Sequence, residues 1–159
     1  MSVKSSTKLY KIYELLGTGL YVGYAPVAPG TVASLATIPL YLILHRFHWA
    51  VYLGVMVLLF SIGIKAAGEI EKVVEQQDPG IMVMDEIVGY LLTLFLLPGT
   101  IWFIVGGFFL FRLFDIFKPL GIRRIDQSRN LGGFGAMADD ALAGIYSNLI
   151  LQGIYFFLK

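Results

Sequence analysis

Cysteine is absent from the 159 residues, and charge is scarce. Without cysteine there is no thiolate nucleophile, no disulfide framework and no zinc–thiolate site. Only 14% of the residues are charged, where ordinary soluble domains carry about 25%. Histidine occurs twice, at His45 and His48. The charges nearly cancel, to a formal +1, so nothing points to a nucleic-acid partner. The surplus is apolar: 57% of the residues are hydrophobic, and mean hydropathy is +0.76. That composition excludes a disordered chain. It also exceeds what a soluble domain of this size hides from water. A bilayer resolves the excess, and the length predicts one membrane-embedded domain over residues 1–159.

Charge-free stretches locate the membrane segments. Residues 47–64, 87–111 and 141–158 carry no charge, and Thr31 to Leu44 forms a shorter apolar run. A span needs ~20 residues, with a working range of about 17–25. The stretch 87–111 holds Pro98-Gly99 at its centre, a turn signal. It is either one kinked span or a hairpin of two short arms. Basic residues favour the hairpin. Lys4, Lys8 and Lys11 precede the first run, and Arg112, Lys118, Arg123, Arg124 and Arg129 follow the long stretch. Counting the hairpin as two spans puts both basic groups on the cytoplasmic side. The expected fold is therefore an all-α, polytopic membrane bundle. Its segments lie near 31–44, 49–64, 82–97, 100–117 and 141–158, some of them short or re-entrant, with the N-terminus inside and Lys159 outside. The first 30 residues lack a signal-peptide pattern, and residues 1–16 are expected to hold an interfacial helix. Leu9, Ile12, Tyr13 and Leu16 instead give an amphipathic helix lying at the interface. His45 and His48 read as interface residues on the outer side.

Carboxylates gather where these helices meet the inner surface: Asp85-Glu86 and Asp139-Asp140 at helix starts, and Asp115 past the fourth segment. Ionisable groups at such depth are costly, so they pair or act. Two acidic pairs and a fifth carboxylate on one side suit a hard cation, Mg²⁺ or Mn²⁺. Arg112, Asp115 and Lys118 are spaced three apart, which is either an ion-pair ladder or a phosphate site with Arg as the bidentate donor. Arg123, Arg124 and Arg129 suit an ordinary basic loop equally well. Pro29-Gly30-Thr31 predicts a helix start with Thr31 as N-cap, and such a terminus also suits an anion. Gly132-Gly133-Phe134-Gly135 is a turn or a backbone cradle for phosphate. Gly89 and Gly144 each follow an aspartate by four residues, predicting close packing of the two acidic helices.

Four motifs together resemble the phosphatidylglycerophosphatase A family. They are Ala25-Pro26-Val27-Ala28-Pro29-Gly30-Thr31-Val32-Ala33-Ser34-Leu35; Asp78-Pro79-Gly80 with Asp85-Glu86-Ile87-Val88-Gly89; Phe111 through Pro119; and Gly132 through Gly144. They keep the family's order over about residues 17–145. Pro119-Leu120-Gly121 departs from the Pro-Trp-Pro often found in the family. The resemblance implies a Mg²⁺-dependent lipid phosphatase of the bacterial inner membrane, taking phosphatidylglycerophosphate to phosphatidylglycerol and inorganic phosphate. The site expected from the residues has Asp85, Glu86, Asp139 and Asp140 holding one or two metal ions. Asp115 orients or deprotonates water, or adds a ligand. Arg112, Lys118, Arg124, Arg129 and Thr31 face the phosphate. Cysteine phosphatases are excluded, the histidines are misplaced for a histidine nucleophile, and no Asp-x-Asp triplet exists for an aspartyl-phosphate enzyme. Two other classes compete: a small ion or proton carrier, and a non-catalytic subunit binding anionic lipid. The residues leave the oligomeric state open.

Overall fold

The computed structural model describes residues 8–76, 79–119, 121–122 and 132–158. Among these residues all regular structure is helical, with no strand. The helices are α1 (Lys8–Gly17), α2 (Pro29–Leu44), α3 (Trp49–Val74), α4 (Met84–Leu94), α5 (Ile101–Phe117) and α6 (Gly133–Leu158), with a 3₁₀ turn at Val22–Tyr24.

Two of them, α3 and α6, are long and apolar enough to cross a membrane. Each has 26 residues, or about 39 Å at ~1.5 Å per residue. Only 28% of the apolar stretch of either helix is buried. The core helix of a soluble protein would bury most of it. Exposed Trp102, Phe109, Phe156 and Phe157 extend the same outward apolar surface.

The stretch 87–111 is two helices, with the chain extended or turning between Leu94 and Ile101. Of these, α4 has 11 residues, about 16 Å of rise, and cannot cross a ~30 Å core as a helix. It is nonetheless the most enclosed element, with eight of its residues buried, and α2, α3, α5 and α6 all pack on it. Its contact with α6 depends on two missing side chains. A Cβ on Gly144 would strike the Gly89 carbonyl oxygen, and one on Gly89 would come within 2.7 Å of the Asp140 carbonyl oxygen. Backbones this close gain dispersion that a larger residue would forbid.

Where α4 ends, its carbonyls would be costly in an apolar setting. Side chains from three helices receive them. Tyr52 Oη donates to the Leu91 carbonyl (2.8 Å). Asn148 Nδ2 donates to those of Thr93 (3.0 Å) and Phe95 (2.8 Å). Gln152 Nε2 donates to Phe95 (3.1 Å), and Tyr41 Oη to Leu97 (3.1 Å).

Helix α1 lies along α3, with Gly17 against Ile70, Ala66 and Met82. Leu9 and Ile12 of the amphipathic pattern face outward. The Tyr24 hydroxyl ties the 3₁₀ turn to α1 by donating to Glu14 Oε1 (2.6 Å). That bond pushes the phenol up to about 12. Helix α2 begins at Pro29, with Ala28 at the N-cap in the left-handed region. Thr31 is therefore inside the first turn and is not the cap: proline's fixed φ suits the first helical position and starts the helix earlier. Asp139-Asp140 likewise sit almost two turns inside α6, not at its start, because Gly133 already begins that helix.

Candidate active site

The close backbone approach at Gly89 and Gly144 brings Asp140 of α6 beside the first turn of α4. There Asp85 accepts the Glu86 backbone N–H at its Oδ1 (3.1 Å). Asp85, Glu86 and Asp140 each offer one carboxylate oxygen, and these oxygens all lie within 4.8 Å of one another. Asp85 and Asp140 are 6% and 3% exposed, so little bulk water solvates their charge.

Helix α5 supplies the next layer. Asp115 is within hydrogen-bonding reach of Asp140 and is paired with Arg112 one turn earlier. Arg112 Nη1 also stands 3.8 Å from Glu86 Oε1. Lys118 is not the third rung of an α5 stripe. The helix stops at Phe117, and Lys118 takes the left-handed conformation at φ 46° with its N–H on the Phe114 carbonyl, a common helix ending, after which Pro119 cannot continue the helix. Lys118 is paired with Asp139 of α6 instead.

Among the described residues, five carboxylates thus share one region with two cations. Buried charge of one sign without compensation is expensive. Two atoms sharpen the imbalance. Among the described residues, Glu86 Oε2 is buried without a hydrogen-bond donor, and Arg112 Nε is buried without an acceptor. Buried polar atoms are normally satisfied, and exceptions call for a reason. A cation would satisfy the glutamate oxygen, and an anion would satisfy the arginine. The donor set of Asp85, Glu86 and Asp140 is all oxygen, which fits a hard divalent ion.

The start of α2 closes the region from the side. A Cβ on Gly30 would collide with the Glu86 carboxylate and come within 3.1 Å of Arg112 Nη1. The first N–H groups of a helix have no partner within it, so this terminus brings donors and a positive dipole end toward the cluster. Thr31 follows, half-buried. The sequence places Gly30 only within the Pro29-Gly30-Thr31 helix start; its contact with Glu86 and Arg112 comes from the structure.

The remaining expectations divide. Arg123, Arg124, Arg129 and Asp78 lie outside the described residues. In the Gly132–Gly135 stretch Gly132 makes the expected turn, at φ 47°, and Gly133 serves helix packing: a Cβ there would strike the Ile64 carbonyl oxygen of α3, and Phe134 meets Phe60 edge-on. The histidines sit at the other end of the bundle. His45 stacks on Tyr41 (5.5 Å) against Gly99, and His48 Nδ1 caps α3 by accepting from Ala50 (3.3 Å).

Comparison with known proteins places these residues in company. The family model for phosphatidylglycerophosphatase A matches residues 15–155. A phosphatidylglycerophosphatase A of Escherichia coli (strain K12) is 36% identical, over 98% of this chain and 88% of its own. One from Haemophilus influenzae (strain Rd) is 36% identical, over 91% and 90%. A Bacteroides thetaiotaomicron protein carrying the provisional name phosphatidylinositol-3-phosphatase is 39% identical, over 86% and 89%. No solved structure matches the chain.

Proposed function

The chain belongs to the phosphatidylglycerophosphatase A family, and from that premise we propose that it hydrolyses phosphatidylglycerophosphate at the cytoplasmic face of a bacterial inner membrane. The products are phosphatidylglycerol and inorganic phosphate. The observation that carries this reading is the buried, unmet pair at the centre of the site: an acceptor at Glu86 Oε2 and a donor at Arg112 Nε. A phosphate monoester bound with a divalent cation answers both.

In this reading Asp85, Glu86 and Asp140 hold Mg²⁺, with Mn²⁺ as a substitute, and Asp139 serves as a further ligand. When bound, the ion supplies Lewis acidity toward the phosphoryl oxygens and lowers the pKa of a coordinated water. Arg112 turns its Nε–H to the phosphate while its Nη1 keeps Asp115 in place. Asp115, held between Arg112 and Asp140, accepts a proton from the attacking water at its carboxylate. Lys118 fixes Asp139 and adds positive potential at the phosphate. The α2 terminus at Gly30 and Thr31 directs backbone N–H groups to the same place, and the reading assigns Arg124 and Arg129 to the phosphate as well.

The helix arrangement supports a multi-pass topology within one domain. The α2–α3 turn and the α4–α5 turn meet at His45 and Gly99, at the end of the bundle away from the carboxylates. We read this as two hairpins entering from one side, and the basic residues near the N-terminus and after α5 assign that side to the cytoplasm. The carboxylates gather at one level and form no file along the bundle, which favours hydrolysis over ion or proton carriage.

The test is phosphate release from phosphatidylglycerophosphate by the purified protein in detergent, with Mg²⁺ and with excess chelator. Release that the chelator abolishes is the expected result. Folded protein that releases no phosphate in Mg²⁺ or Mn²⁺ overturns the proposal. Phosphatidylinositol 3-phosphate belongs in the same assay because of the Bacteroides relative's name; the expected rate on it is lower.

A further inference from the structure

The loop from α1 to α2 turns apolar side chains outward. Leu20, Tyr21, Tyr24 and Val27 are 70%, 54%, 50% and 76% exposed, and no Asp, Glu, Lys or Arg lies between Glu14 and Arg46. The backbone holds them there at a cost. Leu20 and Tyr21 both take positive φ, 58° and 70°, a region that side chains of this size rarely occupy. The conformation is fixed from within. Thr18 Oγ1 donates to the Glu14 carbonyl (2.7 Å) and accepts the Tyr21 N–H (3.1 Å). The Leu20 N–H donates to Leu15 and the Gly23 N–H to Thr18, both at 2.8 Å. A Cβ on Gly23 would strike the Ile81 carbonyl oxygen. The loop is thus built, and what it builds is an outward apolar surface.

Its depth follows from its neighbours. The charge-free part of α3 ends at the exposed Lys65, and a Cβ on Gly17 would come within 3.1 Å of Ala66 and Ile70, just beyond it. A Cβ on Gly19 would come within 3.2 Å of Val83 and Ile87, which flank Asp85 and Glu86. The loop therefore lies level with the carboxylates, where hydrocarbon gives way to charge. We infer that Leu20, Tyr21, Tyr24 and Val27 dock this edge of the protein onto the phospholipid surface, among headgroups and upper acyl chains, and so hold the site at the depth of the lipid phosphate. Tyrosine suits that boundary, with an apolar ring and a polar tip. Lys8 and Lys11, exposed on α1 beside Leu9 and Ile12, complement anionic headgroups. The link to the site is short. Only Ala28 and Pro29 separate Val27 from Gly30, which abuts Glu86 and Arg112.

The chain has no cysteine, so Leu20→Cys and Val27→Cys each carry a single nitroxide. The full chain is placed in vesicles of phosphatidylcholine with a minority of phosphatidylglycerol. Collisions are then measured with oxygen, which concentrates in lipid, and with a nickel chelate, which stays in water. Leu58→Cys, on the outer face of α3, is the lipid reference, and Lys72→Cys, exposed beyond Lys65, is the water reference. Labels at 20 and 27 are expected to favour oxygen, between the two references. Nickel access equal to that at Lys72→Cys overturns the docking surface. So does low access to both reagents, which marks a protein partner or a second copy. The turnover arm rests on the proposed phosphatase reading. Leu20→Asn with Val27→Asn removes the apolar contact with a residue type that tolerates the left-handed region. It is expected to lower kcat/KM about fivefold on substrate embedded in vesicles and to leave the rate on dissolved dihexanoyl substrate unchanged. Full activity on both substrates, or an equal loss on both, overturns the role in presenting lipid. If the unaltered protein releases no phosphate from either, the proposed activity falls, and the nitroxide depths decide the surface by themselves.

Discussion

The two ends of α4 are finished differently. At the far end, tyrosine hydroxyls and amide groups meet the carbonyls of Leu91, Thr93, Phe95 and Leu97 one by one. At the near end, Asp85 and Glu86 join a crowd of carboxylates in which a glutamate oxygen and an arginine nitrogen stay unmet. Helix-end chemistry alone does not explain the contrast. Acidic residues in a first turn favour the dipole, yet two of them with three more carboxylates close by exceed what a terminus needs. One end has its carbonyls met by protein; among the described residues the other leaves an acceptor and a donor unmet.

The sharpest way to break this contrast is to neutralise the near end. Asp140→Asn removes a charge and keeps the shape. Phosphate release is expected to drop by about a thousandfold or more, as for loss of a group that stabilises a transition state, with helicity by circular dichroism retained. A wild-type rate in that variant would remove Asp140 from the site. Next comes Arg112→Lys, which keeps the charge but loses the Nε donor and the planar fork. A loss of about a hundredfold in kcat/KM is expected, and steady-state kinetics would reveal a smaller one if the contact with phosphate is a point charge only.

Changes at the far end should move stability and spare catalysis. Asn148→Leu leaves the Thr93 carbonyl without its donor, whereas Phe95 keeps Gln152. The expected cost is about 1–3 kcal/mol, read as a lower denaturant midpoint, with kcat unchanged per folded molecule. Tyr41→Phe removes one bond to Leu97 and should cost about 1 kcal/mol in the same measurement. Loss of activity without loss of stability in either variant would show that the two ends are not independent.

Much of the near end was legible in the sequence because charge is rare there. Each carboxylate in an apolar neighbourhood announces itself, and the four-residue spacing of Asp85 to Gly89 and Asp140 to Gly144 gave the helix contact. The far end was not legible. Tyr41, Tyr52, Asn148 and Gln152 are ordinary residues in apolar runs, and their partners are carbonyls 39 to 57 positions away. Local geometry also misled. Periodicity alone carried Lys118 onto the Arg112 stripe, but the left-handed turn before Pro119 sends it to Asp139. Glycine richness suggested a turn at 132–135; Gly132 makes one, whereas Gly133 is needed for close contact with α3. Thr31 was a reasonable cap by residue type, but Pro29 starts the helix two positions earlier.

The glycine contact between α4 and α6 also bears on how this sequence can drift. Any replacement at Gly144 adds at least a Cβ, and that atom falls on the Gly89 carbonyl oxygen. Asp140 is one turn away on the same helix, so easing the clash moves the carboxylate as well. No single substitution relieves the crowding, because the obstacle is backbone. A saturation library at these two positions should therefore be nearly empty of active members, while outward sites such as Trp102 or Phe109 accept most apolar residues. Variation is free on the surface and forbidden at two points where there is no side chain to vary.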